Sequence, residues 1–282
     1  MEINQILNKK ILNDNVTLME IYAPLIAKKA EPGEFIILRP TDNDERIPLT
    51  IADSNINKGT ITIIFQIVGY TTSILNTLNE GDILSSFVGP LGNPTKLDGI
   101  KKACVIGGGV GCAIAYPVVK KLHENGAIVD SIIGFRNKDL IILEDDFRTH
   151  STNLYVNTDD GSYGEKGVVT TTLERLINEG NNYDVVIAIG PLIMMKFVTL
   201  TTKKYNIKTI VSMNPIMIDG TGMCGGCRLS CNGEMKFACV DGPDFDAFTI
   251  DFDEAITRSK SYAEFENKKR EEACNLFKKE AK

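Results

Sequence analysis

The sequence has no tryptophan and only two histidines, His123 and His150. The first absence carries no structural consequence. The second disfavours haem ligation, a histidine-rich zinc enzyme and a Ser-His-Asp triad. No run of about 18 apolar residues exists, so no membrane span is expected. An N-terminal apolar stretch with a cleavage site is also missing, and the expectation is a cytoplasmic protein with no membrane contact. Basic residues are in deficit, with 31 Lys and Arg against 37 Asp and Glu and a net charge of −6. A general nucleic-acid binder needs a basic surface to neutralise phosphates, so that class is disfavoured. Internal repeats and low-complexity linkers are absent.

A length of 282 residues suggests two domains, or two and a small module. The 43% apolar content suffices for ordinary cores. Residues 1–97 read as short strands: "NVTLMEIYAP" (15–24), "PGEFIILRP" (32–40) and "GTITIIFQIVG" (59–69), with turn signals between them. That spacing predicts an antiparallel β-barrel. "TTSILNTLNEGD" (71–82) reads as one short helix with Thr or Ser as N-cap.

From residue 101 strands alternate with helices. "KKACVIGGGVG" is a buried strand running into glycines, followed by a helix over 113–127 that ends at Gly126 and tolerates Pro117. Strands at 128–136, 183–191 and 207–214, a strand and polar loop over 153–167, and helices at 168–180 and 192–205 complete the series. The pattern predicts an α/β doubly wound parallel sheet. The domains expected are 1–97, a barrel; 98–214, the α/β domain; 215–245, a cysteine module; and 246–282, a charged helical tail.

Gly107, Gly108, Gly109, Val110 and Gly111 join the first strand of that sheet to its helix. Glycines there let a phosphate approach backbone N–H groups at a helix N-terminus. Cys112 stands where a third motif glycine would be, and the second strand ends in Arg136 instead of an acid, so the usual ribose clamp is missing. A tight turn without ligand is the alternative. Two more loops fall at strand C-termini, one with Asp159, Asp160 and Gly161, the other with Gly190 and Pro191.

Four of the seven cysteines lie in "IDGTGMCGGCRLSCNGEMKFACVDGP", residues 218–243. Cys224 and Cys227 form a CxxC half-site for zinc, but Cys231 and Cys239 are too far apart for the second half. A redox CxxC is disfavoured, because Gly225 and Gly226 open no helix. Plant-type [2Fe–2S] loops use C-x4-C-x2-C and a distant fourth cysteine. Asp219, Cys224, Cys227 and Cys239 give D-x4-C-x2-C-x11-C. Two residues compete for the remaining ligand position. Cys231 is the softer donor; Asp219 has the spacing. "CRLSCNGEMKFAC" also reads as a hairpin turning at Asn232-Gly233, which would put Cys231 at the tip and return Cys239 to the base. That geometry favours Asp219.

A barrel followed by a nucleotide sheet resembles the ferredoxin–NADP reductase superfamily. "RIPLTIAD" (46–53) resembles its flavin element. The resemblance implies Arg46 at the flavin pyrophosphate and Thr50 near N5, with Pro48 and Leu49 between. "QIVGYTTS", opening at Gln66, resembles the second element, where Gly69, Thr72 and Ser73 would bind phosphate. Barrel, nucleotide domain and C-terminal cluster module in this order resemble one group of electron-transfer subunits. It comprises those of class 1B dihydroorotate dehydrogenase and the small subunits of NADH-dependent reduced ferredoxin:NADP oxidoreductase. "DGTGMCGGCR", "FACVDGPDFD" and "RIPLTIAD" resemble the second kind, since the first normally carries a cysteine where Asp219 stands.

The resemblance implies FAD, a [2Fe–2S] cluster and NAD(H) in this chain. It implies a heterodimer with a large flavoprotein subunit carrying a further FAD and [4Fe–4S] clusters, and through it ferredoxin and NADP(H). It implies electron bifurcation at the partner's flavin, no acid–base residue here, and Gly190 and Pro191 shaping the nicotinamide pocket; Arg136 would suit a 2′-phosphate and so NADP, whereas the resemblance implies NAD(H). A dihydroorotate dehydrogenase subunit and a zinc-stabilised nucleotide-binding regulator remain the competing readings.

Overall fold

The computed structural model describes residues 1–261 and residue 265. Strands β1 (Ile6–Asn13), β2 (Val16–Tyr22), β3 (Phe35–Arg39), β4 (Ile47–Asn55), β5 (Thr60–Gln66) and β6 (Ser86–Leu91) form one antiparallel sheet in the order β1-β2-β5-β4-β3-β6. Its ends meet. Gln5 bridges Ile83, Ile6 N–H donates to Asp82 O at 2.8 Å, and Leu84 N–H donates to Asn4 O at 3.0 Å. The sheet is thereby curled into the expected barrel, closed at the corner where the start of β1 meets the chain leading into β6.

Side chains alternate along these strands. Met19, Ile21, Ile36, Leu38, Ile61 and Ile63 point inward and fill the barrel with Phe65 and Leu75. Phe35 and Ile37 of β3 point the other way and join a core shared with the C-terminal half. One strand therefore serves two cores. Helix α1 (Pro24–Ala27) is a single turn, and α2 (Tyr70–Thr77) is shorter than the expected 71–82. The N-cap of α2 is Gly69, not Thr or Ser; Thr72 Oγ1 accepts from the N–H groups of Val68 and Gly69 at 3.1 and 3.0 Å.

The second sheet contains β7 (Lys102–Gly108), β8 (Ile128–Phe135), β9 (Asn153–Thr158), β10 (Glu165–Lys166), β11 (Val185–Ile189) and β12 (Thr209–Ser212), all parallel, in the order β10-β9-β8-β7-β11-β12. Helices α3 (Gly111–Glu124), α4 (Glu144–His150), α5 (Val169–Asn178) and α6 (Leu192–Lys204) connect them. Every residue of β11 is buried, as helices on both faces require. The strand order reverses between β7 and β11, and ligands bind at such a switch point beyond the strand C-termini.

Hairpin β13 (Arg228–Cys231) and β14 (Glu234–Phe237) turns at Asn232 and Gly233, with φ of 51° and 80°, as expected. Helix α7 (Ala238–Asp241) follows. Then β15 (Asp244–Asp246), beyond the expected α/β domain, returns to the second sheet and adds an antiparallel edge strand beside β12. The cysteine segment is thus anchored at both ends to the nucleotide sheet. Helix α8 (Phe252–Ser259) is the described part of the expected helical tail; residues 262–264 and 266–282 lie outside the described residues. Among the described residues no helix is long and apolar enough to cross a membrane.

Candidate functional site

Alternation on β4 sorts the motif residues of 46–50. Ile47 and Leu49 pack against the barrel interior. Arg46, Pro48 and Thr50 consequently take the outer face, where β3 also presents Phe35 and Ile37. The Leu49 side chain is therefore on the barrel side of β4, so only its backbone is shared with the outer face. Arg46 Nε is buried with no hydrogen-bond partner. Such an orphaned charged donor fits a phosphate ligand at this place. Gln66 is the exposed last residue of β5 and delivers the chain to Gly69. The Thr72 and Ser73 hydroxyls both donate to Gly69 O, at 3.0 and 2.9 Å, and must rotate to serve a phosphate.

At the switch point the two glycine loops touch. A Cβ on Gly108 would lie 2.4 Å from Met194 Sδ, one on Gly111 would lie 2.5 Å from Ile189 O, and one on Gly190 would lie 3.1 Å from Gly108 Cα. Only glycine permits this packing of β7, α3 and the β11 exit. Gly107 is closed off beneath by Cys112 Sγ, 2.8 Å from its Cβ position. Gly109, at φ +56°, faces open space, while its N–H is committed to Gly134 O at 2.8 Å. Val110 precedes α3, and Pro191 caps α6.

The exits of β8 and β9 lie side by side, since the N–H groups of Asp159 and Asp160 donate to Phe135 O and Arg136 O at 3.0 and 3.2 Å. This places Arg136, Asp159 and Asp160 at one corner of the switch-point edge. Hydrogen bonds from Ser162 hold the Asp160 carboxyl below its ordinary range. Gly161, at φ +77°, packs on Lys166. A separate cavity of about 560 Å³ lies between the outer face of the barrel and the α/β domain, lined by Leu18, Ile64, Asp53 and Tyr116, and none of these loops lines it.

The cysteine segment folds onto the barrel. A Cβ at Gly220 would lie 2.5 Å from Ile37 Cδ1 and 3.0 Å from Leu91 Cδ1. Gly220, Gly222 and Gly225 take positive φ of 82°, 84° and 66°. Cys227 and Cys239 meet with their sulfurs 3.2 Å apart. Burial, then the neighbouring Cys227 sulfur, pushes the Cys239 thiol up to about 12, against the Gly222 N–H. Cys224 is exposed; N–H groups of Gly226 and Asp219 lower its thiol, which the Asp219 charge opposes. The Thr221 hydroxyl and amide hold the Asp219 carboxyl below its usual range, with smaller contributions from the Met223 amide and the Arg46 charge. Cys231 is buried at the hairpin tip, where burial raises its thiol.

Amides aimed at sulfurs and two thiols in contact fit a cationic, thiolate-bound group, because two adjacent thiolates repel one another without a cation. Among the described residues no three His, Cys, Asp or Glu converge as one metal-ion site.

Comparison with known proteins bears on the same segment. The family described as the iron-sulfur cluster binding domain of dihydroorotate dehydrogenase B matches residues 214–251. The chain is 43% identical over 264 residues to a dihydroorotate dehydrogenase B (NAD(+)) electron transfer subunit homolog of Thermotoga maritima, covering 94% of this chain and 93% of the relative. A chain from the solved structure of NADH-dependent reduced ferredoxin-NADP oxidoreductase, described for flavin-based electron bifurcation, is 40% identical with a TM-score of 0.93, covering 97% of this chain and 99% of that one. The cytochrome b5 reductase domain of Ulva prolifera nitrate reductase shares the fold alone, at 17% identity and a TM-score of 0.60 over 72% of this chain and 92% of that one.

Proposed function

The chain belongs to the family of dihydroorotate dehydrogenase B electron-transfer subunits and their homologues, and from that membership we propose that it passes electrons between a [2Fe–2S] cluster, FAD and NAD(H) in an NADH-dependent reduced ferredoxin:NADP oxidoreductase. The observation that carries the reading is the seat of the cysteine segment. Gly220 lies directly on Ile37, on the same barrel face as Arg46, Pro48 and Thr50. A cluster held here and a flavin held there are neighbours.

When bound, the flavin exchanges a hydride with the nicotinamide and single electrons with the cluster. The chain's own residues bind and orient. Arg46 meets the flavin pyrophosphate, with Gly69, Thr72 and Ser73 beside it. Pro48 and Thr50 face the ring. Gly107, Gly108, Gly109, Val110 and Gly111 admit the nicotinamide dinucleotide, Gly190 and Pro191 shape its pocket, and Arg136, Asp159, Asp160 and Gly161 surround its ribose. Cys227 and Cys239 make one ligand pair, Asp219 and Cys224 the other. The domains proposed are 1–97 for FAD, 98–214 for NAD(H), 215–245 for the cluster and 246–282 as a tail. The partner is a large flavoprotein subunit with FAD and [4Fe–4S] clusters, and the site of action is the cytoplasm.

Asp219 favours this assembly over a dihydroorotate dehydrogenase; the family match over 214–251 favours the alternative. Purification of the complex from its native source decides. The expected preparation contains FAD, iron and sulfide, and reduces NADP with NADH and reduced ferredoxin together. Orotate-linked NADH formation would establish the alternative instead, and zinc without iron would overturn both.

A further inference from the structure

This inference rests on the flavin reading above. The geometry points to Arg39, a residue of no recognised motif, as a second binding residue for the flavin diphosphate, forming a two-guanidinium clamp with Arg46. The β3–β4 register pairs Ile37 with Pro48 and Leu38 with Ile47, so Arg39 and Arg46 are the next opposed positions. Opposed residues of antiparallel strands project from the same face. Arg39 follows Phe35 and Ile37 at alternate positions, which places it on the outer face with Arg46. Strand β5 runs antiparallel to β4 and brings Gly69 and the start of α2 to the same end of the sheet.

Both arginines have a buried Nε with no hydrogen-bond partner. Neither pairs with a carboxylate among the described residues. Of the acids of the intervening turn, Glu45 is exposed and forms no ion pair with either arginine, and the other two are engaged elsewhere. Asp44 accepts from the Thr41 N–H and hydroxyl at 2.9 and 2.6 Å, and Asp42 is bonded by Ser85. Asp219 is occupied by Thr221 and Met223. Like charges directly opposed on two strands are destabilising, and so is a buried unpaired charged donor. A diphosphate between the two forks removes both penalties, and planar guanidinium is the group that grips phosphate oxygens in pairs.

The test uses the full chain stripped of flavin and titrated with FAD by flavin fluorescence, with riboflavin, which has no phosphate, as control. Arg39→Gln is expected to raise the Kd for FAD about 10–100-fold, the worth of a charged hydrogen bond, and to leave the riboflavin and NADH values unchanged. Arg39→Lys keeps the charge but not the fork, and is expected to fall between. FAD binding by Arg39→Gln equal to the unmodified chain, with loss only in Arg46→Gln, would overturn the clamp and leave the flavin reading standing. So would a parallel loss of riboflavin and FAD binding, which would make Arg39 structural. An unmodified chain that binds no FAD would remove the flavin reading and the clamp together.

Discussion

Cys231 is a buried thiol four residues along β13 from Cys227, about 13 Å at the rise of a strand. Its strand turns at once through Asn232 and Gly233, and its own backbone bridges Ile250. Cys239 instead returns to the hairpin base, where Ala238 N–H donates to Cys227 O at 3.1 Å. Softness of the donor favours Cys231 as a ligand, but its distance from the pair opposes it. Asp219 is beside Cys224 and already gathers N–H groups. Cys231→Ala is therefore expected to keep the iron content and the EPR signal of the reduced protein, at a cost of about 1–2 kcal/mol for the emptied volume. Asp219→Ala is expected to alter that signal or lose iron. Retention of the signal by Asp219→Ala together with its loss in Cys231→Ala would reverse the assignment.

The junction of β7 and α3 gives a test at the level of an element, because its glycines are present for different reasons. Gly111 has carbonyl Ile189 O at 2.5 Å from its Cβ position, a backbone neighbour that cannot step aside. Gly109 has open space but φ of +56°. Gly111→Ala is expected to push β11 from α3, costing about 1–3 kcal/mol and weakening NADH binding by more than tenfold. Gly109→Ala is expected to cost about 1–2 kcal/mol in backbone strain and to weaken NADH binding less than Gly111→Ala does, since its surroundings are open. Thermal denaturation and NADH titration of the two variants separate the effects; equal NADH affinity in both would mean that the loop contact does not shape the site. These glycines were legible in the sequence because a strand, a glycine cluster and a helix follow one another within a few residues. The hairpin was legible for the same reason, through Asn232-Gly233. Helix α4 was not, since it buries only Phe147 and shows no apolar period; its signal is Glu144, Asp145 and Asp146 in the first turn and Arg148 and His150 in the last. The faces taken by Leu49 and Arg39 were not legible, because a motif is read along the chain, whereas strand alternation and cross-strand register decide which face a side chain takes.

At the scale of the molecule, β15 joins parts far apart in sequence, and its pairing with β12 could not be read locally. Asp244 on β15 accepts from the Thr95 hydroxyl, in the chain segment between barrel and sheet, at 2.6 Å. Gly33 of the barrel closes over the same place, with Thr95 Oγ1 at 2.3 Å and Asp244 Oδ2 at 3.3 Å from its Cβ position. Asp244 Oδ1 is buried without a partner. Burial raises the Asp244 carboxyl above its ordinary range, and the Thr95 and Ser212 hydroxyls only partly oppose this. The folded chain therefore holds a proton here more tightly than the unfolded chain. Its contribution to stability is complete below the unfolded value, about 3.9, and is lost as pH rises through the folded value. Asp244→Asn keeps an acceptor for Thr95 and cannot ionise. The expected result is a melting temperature that falls less, between pH 4 and the neutral range, than that of the unmodified chain. Because Asp244 sits where β12, β15 and the barrel connection meet, the same variant should hold the two sheets together at neutral pH at least as well as aspartate does. Melting curves recorded across that range, with Thr95→Val as the variant that removes the donor, check both statements. Parallel pH profiles for Asp244→Asn and the unmodified chain would show that this carboxyl ionises alike in the folded and unfolded chains.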